Sequence, residues 1–392
     1  MLVERGGSPR PINKYLTDSD DGLNWIKISD ATASDKYIYK TKQKILKEGL
    51  HKTRLVNEGD FLLSNSMSFG RPYIMKTSGC IHDGWLVLKE KEAGLLDKDF
   101  LYHLLGSPYI FEQFDKLAAG STVRNLNIGL VSSVSIPIPP LEEQKQIVAV
   151  LDKAFAAIDL AKANIEKNLQ NAKELFQSKL NEIFTQKGEG WEEKALGESV
   201  KSISTGPFGS LLHKSDYSPN GIPLVNPIHM VNKRIVPDDK KQVSKDIVVR
   251  LKNYILKEND IVVARRGDIG RCALVEEEQN GWLCGTGSFF ISPSDELRSD
   301  FLVELISLEF YAKKLLEVAT GATMKNISNK SLKALHIAFP SAEIQKEIMG
   351  RVRALDNKTK QLETAYQQKL NSLDELKKSI LQKAFAGELV IK

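Results

Sequence analysis

The chain carries one sequence unit twice, and the second copy begins about 200 residues after the first. Aligned without a gap, residues 118–184 and 319–385 share 16 identities in 67 positions, against about four expected from average composition. Upstream, Gly59-Asp60-Phe61-Leu62-Leu63 recurs as Asn259-Asp260-Ile261-Val262-Val263. Such a chain is expected to have approximate two-fold symmetry, which suits binding at two separated places on another two-fold object such as duplex DNA.

Further short matches keep the same order along both halves. The matched pairs are Gly70-Arg71 with Gly270-Arg271, Gly84-Trp85 with Gly281-Trp282, Asp99-Phe100-Leu101 with Asp300-Phe301-Leu302, and residues 120–125 with residues 321–326. The offset drifts by only a few residues, as insertions and deletions in loops between fixed elements would produce. The duplication therefore includes the globular parts of the chain.

Composition excludes several classes of protein. With 392 residues, of which 42% are hydrophobic, the chain can form two or more domains with their own cores. Three cysteines without a CxxC pair argue against a zinc ribbon or a disulfide scaffold, and no apolar run approaches the roughly 20 residues of a membrane span. The expected compartment is the cytoplasm. The net charge of +5 favours a polyanionic partner only mildly.

Motifs for catalysis are missing from the sequence. There is no GxxxxGK[ST] phosphate loop, no glycine-rich loop typical of S-adenosylmethionine binding, and the six histidines show no HxxxH spacing. We therefore predict no catalytic, cofactor-binding or metal-binding residues in this chain. The chain is expected to bind, while other subunits would catalyse.

Short apolar runs separated by polar turns predict strands in the first half, including Trp25–Ile28, Asp60–Leu63 and Trp85–Leu88. A helix is predicted from Asp97 to Ala118. The run Val134–Pro140 contains prolines, which cannot donate to a ladder, so it is expected to be an edge strand or an exit segment.

Beyond Leu141 the apolar residues follow alternating three- and four-residue spacing, which predicts a long helix with a coiled-coil seam. The second copy behaves alike, and each helix of about 45 residues would be roughly 65–70 Å long. Lys162 and Thr359 interrupt the seam, and Lys162 could set the register. The predicted interface residues are Leu151, Phe155, Ile158, Ile165, Leu169 and Phe176 in the first helix, and Leu355, Leu362, Tyr366, Leu373 and Leu376 in the second.

The predicted fold class is α+β, with two similar mixed α/β domains separated by two long antiparallel helices that form a pseudo-two-fold coiled-coil spacer. Antiparallel pairing would place the domains at opposite ends of a rod. The predicted bounds are 1–140 and 187–340 for the domains, and 141–186 and 341–392 for the central and C-terminal helices.

This arrangement resembles the specificity subunit of type I restriction-modification systems over nearly all of the chain. The stretches that carry the resemblance are Ile136–Ile147, its copy Ile337–Ile348, Gly190-Trp191 ahead of Leu196-Gly197-Glu198, and Thr205–Ser210. The first half lacks a counterpart of residues 191–200, so a first domain that is slightly truncated or differently capped is expected.

The resemblance implies that each globular part is a target-recognition domain for one half of a split double-stranded DNA sequence. It also implies that the helices dock two modification subunits. Methylation of an adenine in each half-site would then use S-adenosylmethionine on those subunits, and cleavage would need separate restriction subunits with ATP and Mg. No cofactor is expected in this chain.

Loops rich in Gly, Ser, Asn and Arg are the candidate DNA contacts, because Arg pairs with guanine and Asn with adenine in the major groove. The candidates are Arg10, Asn65, Arg71, Arg124 and Asn125 in the first domain, and Lys214, Arg265, Arg266, Arg271, Lys325 and Asn326 in the second. The adjacent arginines 265 and 266 have no obvious structural need. Because the loops 64–69 and 264–269 differ, the two domains are expected to read different half-sites of an asymmetric target.

Each candidate also has a structural interpretation. Arg71 and Arg271 could pair with a carboxylate in their own domain, and residues 124–125 and 325–326 could be a shared structural cap instead of a phosphate clamp. Trp85 and Trp282 are expected in the core.

Two alternative functions remain open at this point. The chain could be a coiled-coil adaptor that spaces two protein-binding domains and does not bind nucleic acid. It could also be the recognition subunit of a related restriction-modification class.

Overall fold

The computed structural model describes residues 1–65, 69–92, 94–118, 125–208, 211–321 and 325–388, with the side chains at 118 and 214 left aside. These residues form two compact units. The first unit is built from residues up to Asn168 together with residues from Ala365 onward, and the second unit is residues 169–364. Both long helices contribute to both units.

The first unit contains two five-stranded sheets. One sheet has the order Leu2–Arg5, Trp85–Lys89, Phe61–Ser64, Pro72–Met75 and Tyr37–Ile38, and the other has the order Leu16–Thr17, Gln43–Ile45, Leu23–Ile26, Gly79–Ile81 and Arg54–Val56. Along the central strand, Phe61 and Leu63 face one hydrophobic cluster and Leu62 faces another. This alternation explains why a continuous apolar run forms a strand that is covered on both faces.

Besides the long helices, the described part of the first unit contains four short α-helices. They are Ile28–Ala31, Lys98–Leu105, Pro108–Ala118 and Ile128–Ser133, with 3-10 turns at Ile12–Lys14 and Lys47–Lys52. The single helix predicted from Asp97 to Ala118 is wrong in its continuity, because Gly106 and Ser107 separate two helices and Pro108 opens the second. The strand predicted from Trp25 to Ile28 ends at Ile26, and a short helix begins at Ile28.

The second unit contains a four-stranded sheet in the order Val200–Thr205, Ser288–Pro293, Ile261–Ala264 and Cys272–Leu274. Its smaller sheets are Gln242–Val243 with Tyr217–Val225 and Leu283–Cys284, Met230–Val231 with Arg234–Ile235, and Glu192–Ala195 with His336–Phe339. Its helices are Leu196–Ser199, Lys245–Arg250, Ser299–Ser307, Glu309–Glu317 and Asn329–Lys333, and its 3-10 turns are Lys214–Asp216, Pro227–His229, Lys252–Tyr254 and Glu277–Gln279.

The two exit segments before the long helices differ. His336–Phe339 is a strand because it pairs with Glu192–Ala195, whereas residues 134–140 form no strand. Prolines at 137, 139 and 140 remove three donors from the first segment, and of the two interpretations offered by the sequence the exit segment is the one observed there.

Strand register identifies the true structural counterparts in the two halves. Trp85 lies opposite Ser64 in the first unit, and Ser288 lies opposite Ala264 in the second. The counterpart of Trp85 is therefore Ser288, and the predicted match of Gly84-Trp85 with Gly281-Trp282 is wrong. Trp85 is fully buried, and Trp282 is half-buried against a neighbouring cluster, so both side chains pack in cores as expected.

The two long helices are Leu141–Thr185 and Ala342–Phe385, with 45 and 44 residues. In the first unit the beginning of the first helix contacts the end of the second, since Lys162 pairs with Asp374 and Asp159 lies 3.5 Å from Lys377. From Asp159 to Lys162 the residue number rises along the first helix, while the number of the contacted residue falls from Lys377 to Asp374. The contact is therefore antiparallel. Lys162 thus interacts across the seam, as its position suggested.

Two predicted seam residues point to solvent. Leu362 and Leu376 are 48% and 47% exposed, while the neighbouring Glu363 and Lys377 are half-buried. At the repeat offset of 201, Glu363 is the counterpart of Lys162, and Lys377 is the counterpart of Phe176. The gapless alignment of the two copies therefore carried the correct register for the seam. Of the other predicted interface residues, Leu151, Phe155 and Ile158 are buried, and Ile165, Leu169, Phe176, Leu355, Tyr366 and Leu373 are half-buried.

Each unit completes its core with the end of a long helix. In the first unit Phe385 packs against Phe100 with ring centroids 5.4 Å apart, and in the second Phe184 packs against Phe301 at 5.0 Å. All the residues of this arrangement recur at the offset of 201. The helix end therefore packs on the domain of the other copy and not on its own. Within the described residues, no helix combines the length and apolarity that a membrane crossing requires.

Candidate nucleic-acid interface

The residue that follows the central strand occupies the same backbone position in both units. The amide of Asn65 donates to the carbonyl of Gly84, and the amide of Arg265 donates to that of Gly287, each at 3.0 Å. Their carbonyls accept from Leu126 at 2.8 Å and from Ile327 at 2.9 Å. These two backbone hydrogen bonds form a frame that is the same in both units. The frame holds an asparagine in the first unit and an arginine in the second.

Asn65 is part of the support for this frame and does not face solvent. Its side chain is 1% exposed, and its Nδ2 donates to the carbonyl of Asp83 at 2.7 Å. A buried amide held in this way cannot reach a base edge without breaking that hydrogen bond. The geometry of Asn65 in this conformation therefore does not support the predicted DNA contact.

Asp83 organises the neighbouring loop of the first unit. Its Oδ1 accepts from the hydroxyl of Ser8 at 2.7 Å, and its Oδ2 lies 3.7 Å from Nη2 of Arg10. The hydrogen bond from Ser8 is the main reason that the pKa of Asp83 lies below its usual value. The Arg10 side chain is 83% exposed, so it remains available to an anion outside the domain.

Arg71 and Arg271 are engaged within their own domains. Arg71 Nη2 lies 3.1 Å from Asp35 Oδ1, and its guanidinium lies over the Tyr73 ring at 5.4 Å. Arg271 pairs with Asp268 and donates to the carbonyl of Pro227 at 3.4 Å. The structural interpretation of these two arginines is thus the observed one, and the prediction of a DNA contact is not supported by their geometry.

Arg265 is a positioned, partly buried cation. Its Nε donates to Oδ1 of Asn326 at 3.0 Å, and its guanidinium lies 5.0 Å from the ring centroid of Phe208 and 5.7 Å from that of Phe289. Burial, and secondarily the charge of Arg266, lower the pKa of Arg265, although an arginine keeps its charge at neutral pH. Arg265 and Asn326, predicted from separate loops, are brought together.

Arg266 and Lys325 supply exposed positive charge beside Arg265. The Arg266 backbone forms an isolated antiparallel bridge with Asn326. Gly287 allows the close approach of Pro227, because a Cβ there would lie 2.9 Å from Cδ of Pro227 and also 3.3 Å from Nε of Arg266. The second unit therefore presents a cationic surface of Arg265, Arg266 and Lys325.

Two predicted candidates are described only in part or not at all, and a third has no hydrogen-bond partner for its side-chain oxygen among the described residues. Arg124 lies outside the described residues, and for Lys214 only the backbone is described, in a 3-10 turn. Asn125 is half-buried, and its Oδ1 has no hydrogen-bond partner among the described residues. Asn125 is the counterpart of Asn326 in the repeat.

Sequence reasoning missed Asp83 and Phe208 as parts of the two sites. Gly6 donates to the carbonyl of Trp85 at 3.0 Å, and Gly206 donates to that of Ser288 at 2.9 Å, so the two glycine-rich loops are structural counterparts. The residue two positions after each glycine contacts the site, namely Ser8 and Phe208. Comparing the loops at this spacing could have found Phe208.

These features define a class of binding protein in which one domain fold occurs twice and carries different cationic loops in its two copies. Among the described residues, no group of three His, Cys, Asp or Glu side chains is placed to hold a metal ion. The family of type I restriction modification DNA specificity domains matches residues 3–171 and 188–372, so the chain belongs to this family.

Several curated relatives are specificity subunits of type I restriction enzymes. The EcoBI subunit of Escherichia coli is 27% identical over 323 residues, which cover 76% of this chain and 67% of the relative. The MjaVIII subunit of Methanocaldococcus jannaschii is 25% identical over 363 residues, covering 87% and 82%. The chain thus spans about two thirds of the length of the Escherichia coli relative.

Solved structures share the fold. One of them comes from structural work on complex assembly and conformational transition of the type I R-M system. It has a TM-score of 0.68 at 20% identity, and the match covers 99% of this chain and 98% of that one. The HsdS subunit from Thermoanaerobacter tengcongensis gives 0.60 at 20% identity, covering 99% and 95%. These likenesses show the fold alone. The family match and the curated relatives identify the chain as a DNA sequence-recognition subunit of the type I restriction-modification class, which is a non-catalytic component.

Proposed function

We propose that the chain reads a split, asymmetric duplex target, with one half-site recognised by residues 1–140 and the other by residues 187–340. The observation that carries this proposal is the shared backbone frame at Asn65 and Arg265. A common frame places each loop at the same position relative to its domain. Different side chains on the loops that this frame positions would then select different bases.

In the second domain Arg266 would contact a base or phosphate directly, and Arg265 would be held in place by Phe208 and Asn326. A bidentate arginine recognises guanine through O6 and N7 in the major groove. In the first domain Arg10 is an exposed cation of the glycine-rich loop, and it lies 3.7 Å from Asp83. The two half-sites would therefore differ in sequence.

The helices at 141–186 and 341–392 would form the spacer between the two domains. The antiparallel contact of Lys162 with Asp374 supports this role, since a paired helix resists bending better than a single one. The length of the spacer would set the unread gap, because both domains must meet compatible faces of a duplex that turns every 10–10.5 base pairs.

The spacer would also dock two modification subunits, one for each half of the pseudo-two-fold repeat. Those subunits would carry S-adenosylmethionine and methylate each half-site, and separate restriction subunits would use ATP and Mg to cleave. Such a complex would act where cellular DNA is held, in the cytoplasm.

The proposal is tested with the double variant Arg265→Ala, Arg266→Ala, assayed on duplexes in which each half-site is varied separately. Each lost bidentate contact removes about 1–3 kcal/mol of base discrimination, so preference should fall roughly 5- to 150-fold at one half-site and stay intact at the other. Lys313→Ala is the matched control, since Lys313 is an exposed cation of the same unit that pairs with Glu309.

Loss of preference at both half-sites, or at neither, would contradict independent domains. Salt dependence separates the proposal from an adaptor without nucleic-acid binding. Binding with several phosphate contacts should weaken with a logarithmic slope of about −0.9 per contact, whereas an adaptor would show no such binding.

A further inference from the structure

One glutamine is buried at the start of each long helix. Gln144 and Gln345 are both fully buried, although glutamine is mostly exposed in proteins and a buried amide must be hydrogen-bonded. Each lies in the first turn of its helix, and the two are counterparts at the offset of 201. Their burial needs an explanation beyond helix formation, since an exposed residue would serve that purpose.

Gln144 joins the first long helix to its domain through three hydrogen bonds. Its Oε1 accepts from the amide of Asp97 at 2.8 Å, and its Nε2 donates to the carbonyls of Leu95 at 2.9 Å and Pro139 at 2.8 Å. Asp97 caps the helix that begins at Lys98. The side chain therefore fixes the segment before that helix, the exit segment and the long helix to one another.

Gln345 repeats this connection in the second unit. Its Oε1 accepts from the amide of Arg298 at 2.9 Å, and its Nε2 donates to the carbonyls of Glu296 at 2.8 Å and Pro340 at 2.7 Å. All three partners lie 201 residues after their counterparts, and all six bonds go to main-chain atoms. The connection is thus independent of the side chains that distinguish the two domains.

We propose that Gln144 and Gln345 are positioning residues that fix the angle between each DNA-reading domain and the spacer, and thereby restrict the gap that the chain accepts between half-sites. This inference rests on the proposed function. The glutamines touch no DNA; they act through the orientation of the domain.

The geometry explains why a small loosening would matter. A domain of 140 residues has a radius of gyration of about 14 Å, so a reading loop lies roughly 15–30 Å from a joint at the domain edge. Since one base-pair step is 3.4 Å, angular slack of about 6–13° would carry the loop by one step. Three hydrogen bonds at the joint oppose such rotation, because each hydrogen bond weakens when its angle changes. A purely apolar contact would not oppose it in this way, because apolar contacts have no directional preference.

The experiment uses the full-length chain and the duplex that the wild-type chain selects from random sequence. Binding is measured on that duplex and on versions with the gap shortened or lengthened by one base pair. The variants are Gln144→Leu and Gln345→Leu, which keep the side-chain volume and remove the hydrogen bonds. Gln146→Leu is the matched control, because Gln146 lies on the same helix two residues further and is exposed.

We expect the wild-type chain and the control to prefer the native gap at least tenfold. Each joint variant should lose most of that preference, by a factor of five or more, with unchanged base preference inside both half-sites. A merely structural role would instead weaken binding equally at all three gaps, and that result, or an unchanged preference, would overturn the inference.

A second variant covers the case in which the leucine variants do not fold. Gln144→Glu keeps the acceptor for Asp97 and loses only the two donated bonds, so it should relax the gap preference in the same direction. If Gln144→Glu also does not fold, the two side chains are needed for stability alone, and the inference fails. A wild-type chain that shows no half-site preference would refute the proposed function itself.

Discussion

The ends of the long helices give the sharpest prediction, because each is expected to stabilise the domain of the other copy. Phe385 is 5% exposed and belongs to the core of the first unit, where it packs on Phe100. Phe184 is 4% exposed and packs on Phe301 in the second unit. Replacing a buried phenylalanine by alanine typically costs about 3–5 kcal/mol.

Phe385→Ala should therefore destabilise the first unit and leave the second nearly unchanged, and Phe184→Ala should do the reverse. The assay is native-state hydrogen exchange followed by mass spectrometry on the central strands, Phe61–Ser64 and Ile261–Ala264. Amides that exchange through opening of a unit should accelerate by about two to three and a half orders of magnitude, since each 1.4 kcal/mol is tenfold.

The two variants serve as controls for each other, because they remove the same side chain at equivalent places. Faster exchange in the second unit upon Phe385→Ala would mean that each helix end belongs to its own copy. Such a result would refute the arrangement in which each helix end packs on the domain of the other copy. It would also remove the support for a shared spacer.

Three further predictions concern single features. Asn65→Ala should lower the free energy of unfolding by about 0.5–1.5 kcal/mol, because the carbonyl of Asp83 loses one of its two hydrogen bonds and keeps the one from Nε of Arg5. Base preference should stay unchanged; chemical denaturation and duplex binding check both parts. Burial lowers the pKa of His103 despite Asp152 nearby, so the unfolded state binds the proton more tightly, and stability should be lost as the pH falls below about 6.5. Between pH 7.5 and 5.5 the thermal midpoint of unfolding should therefore fall less in His103→Gln than in the wild-type chain. An equal fall in both proteins would exclude His103 as the cause. Seven residues inserted within 162–173 and matched within 363–374 add about 10.5 Å of helix, so the accepted gap should grow by about three base pairs; a changed half-site with an unchanged gap would contradict the spacer role.

Periodic features of the fold were predictable from the sequence. The first long helix begins at its predicted residue 141 and ends one residue before 186, and the second begins one residue after 341, because their apolar spacing persists over many turns. The predicted end of the second helix at 392 is wrong, since the helix ends at Phe385. The error at Leu362 and Leu376 arose from following leucines along the second helix. The repeat offset would have placed Glu363 and Lys377 on the seam, and the aliphatic part of a lysine can lie on an apolar surface, as Lys377 does at 4.8 Å from the Phe155 ring.

The loops were less predictable, because their partners are distant in sequence. Nothing near Asn65 indicates that the carbonyl of Asp83 will bury it, and nothing near Arg265 indicates that Phe208 and Asn326 will hold it. The match of Gly84-Trp85 with Gly281-Trp282 failed for a related reason. Two identical residues in a region of insertions carry less information than the register of a strand pair.

The central claim is that one chain reads two unlike half-sites at a fixed separation. The most direct measurement selects bound duplexes from random-sequence DNA with the full-length chain and sequences them. We predict two clusters of specified bases that differ from each other and lie on either side of an unspecified gap of constant length. A single contiguous motif, two identical inverted clusters, or a gap of variable length would contradict the claim.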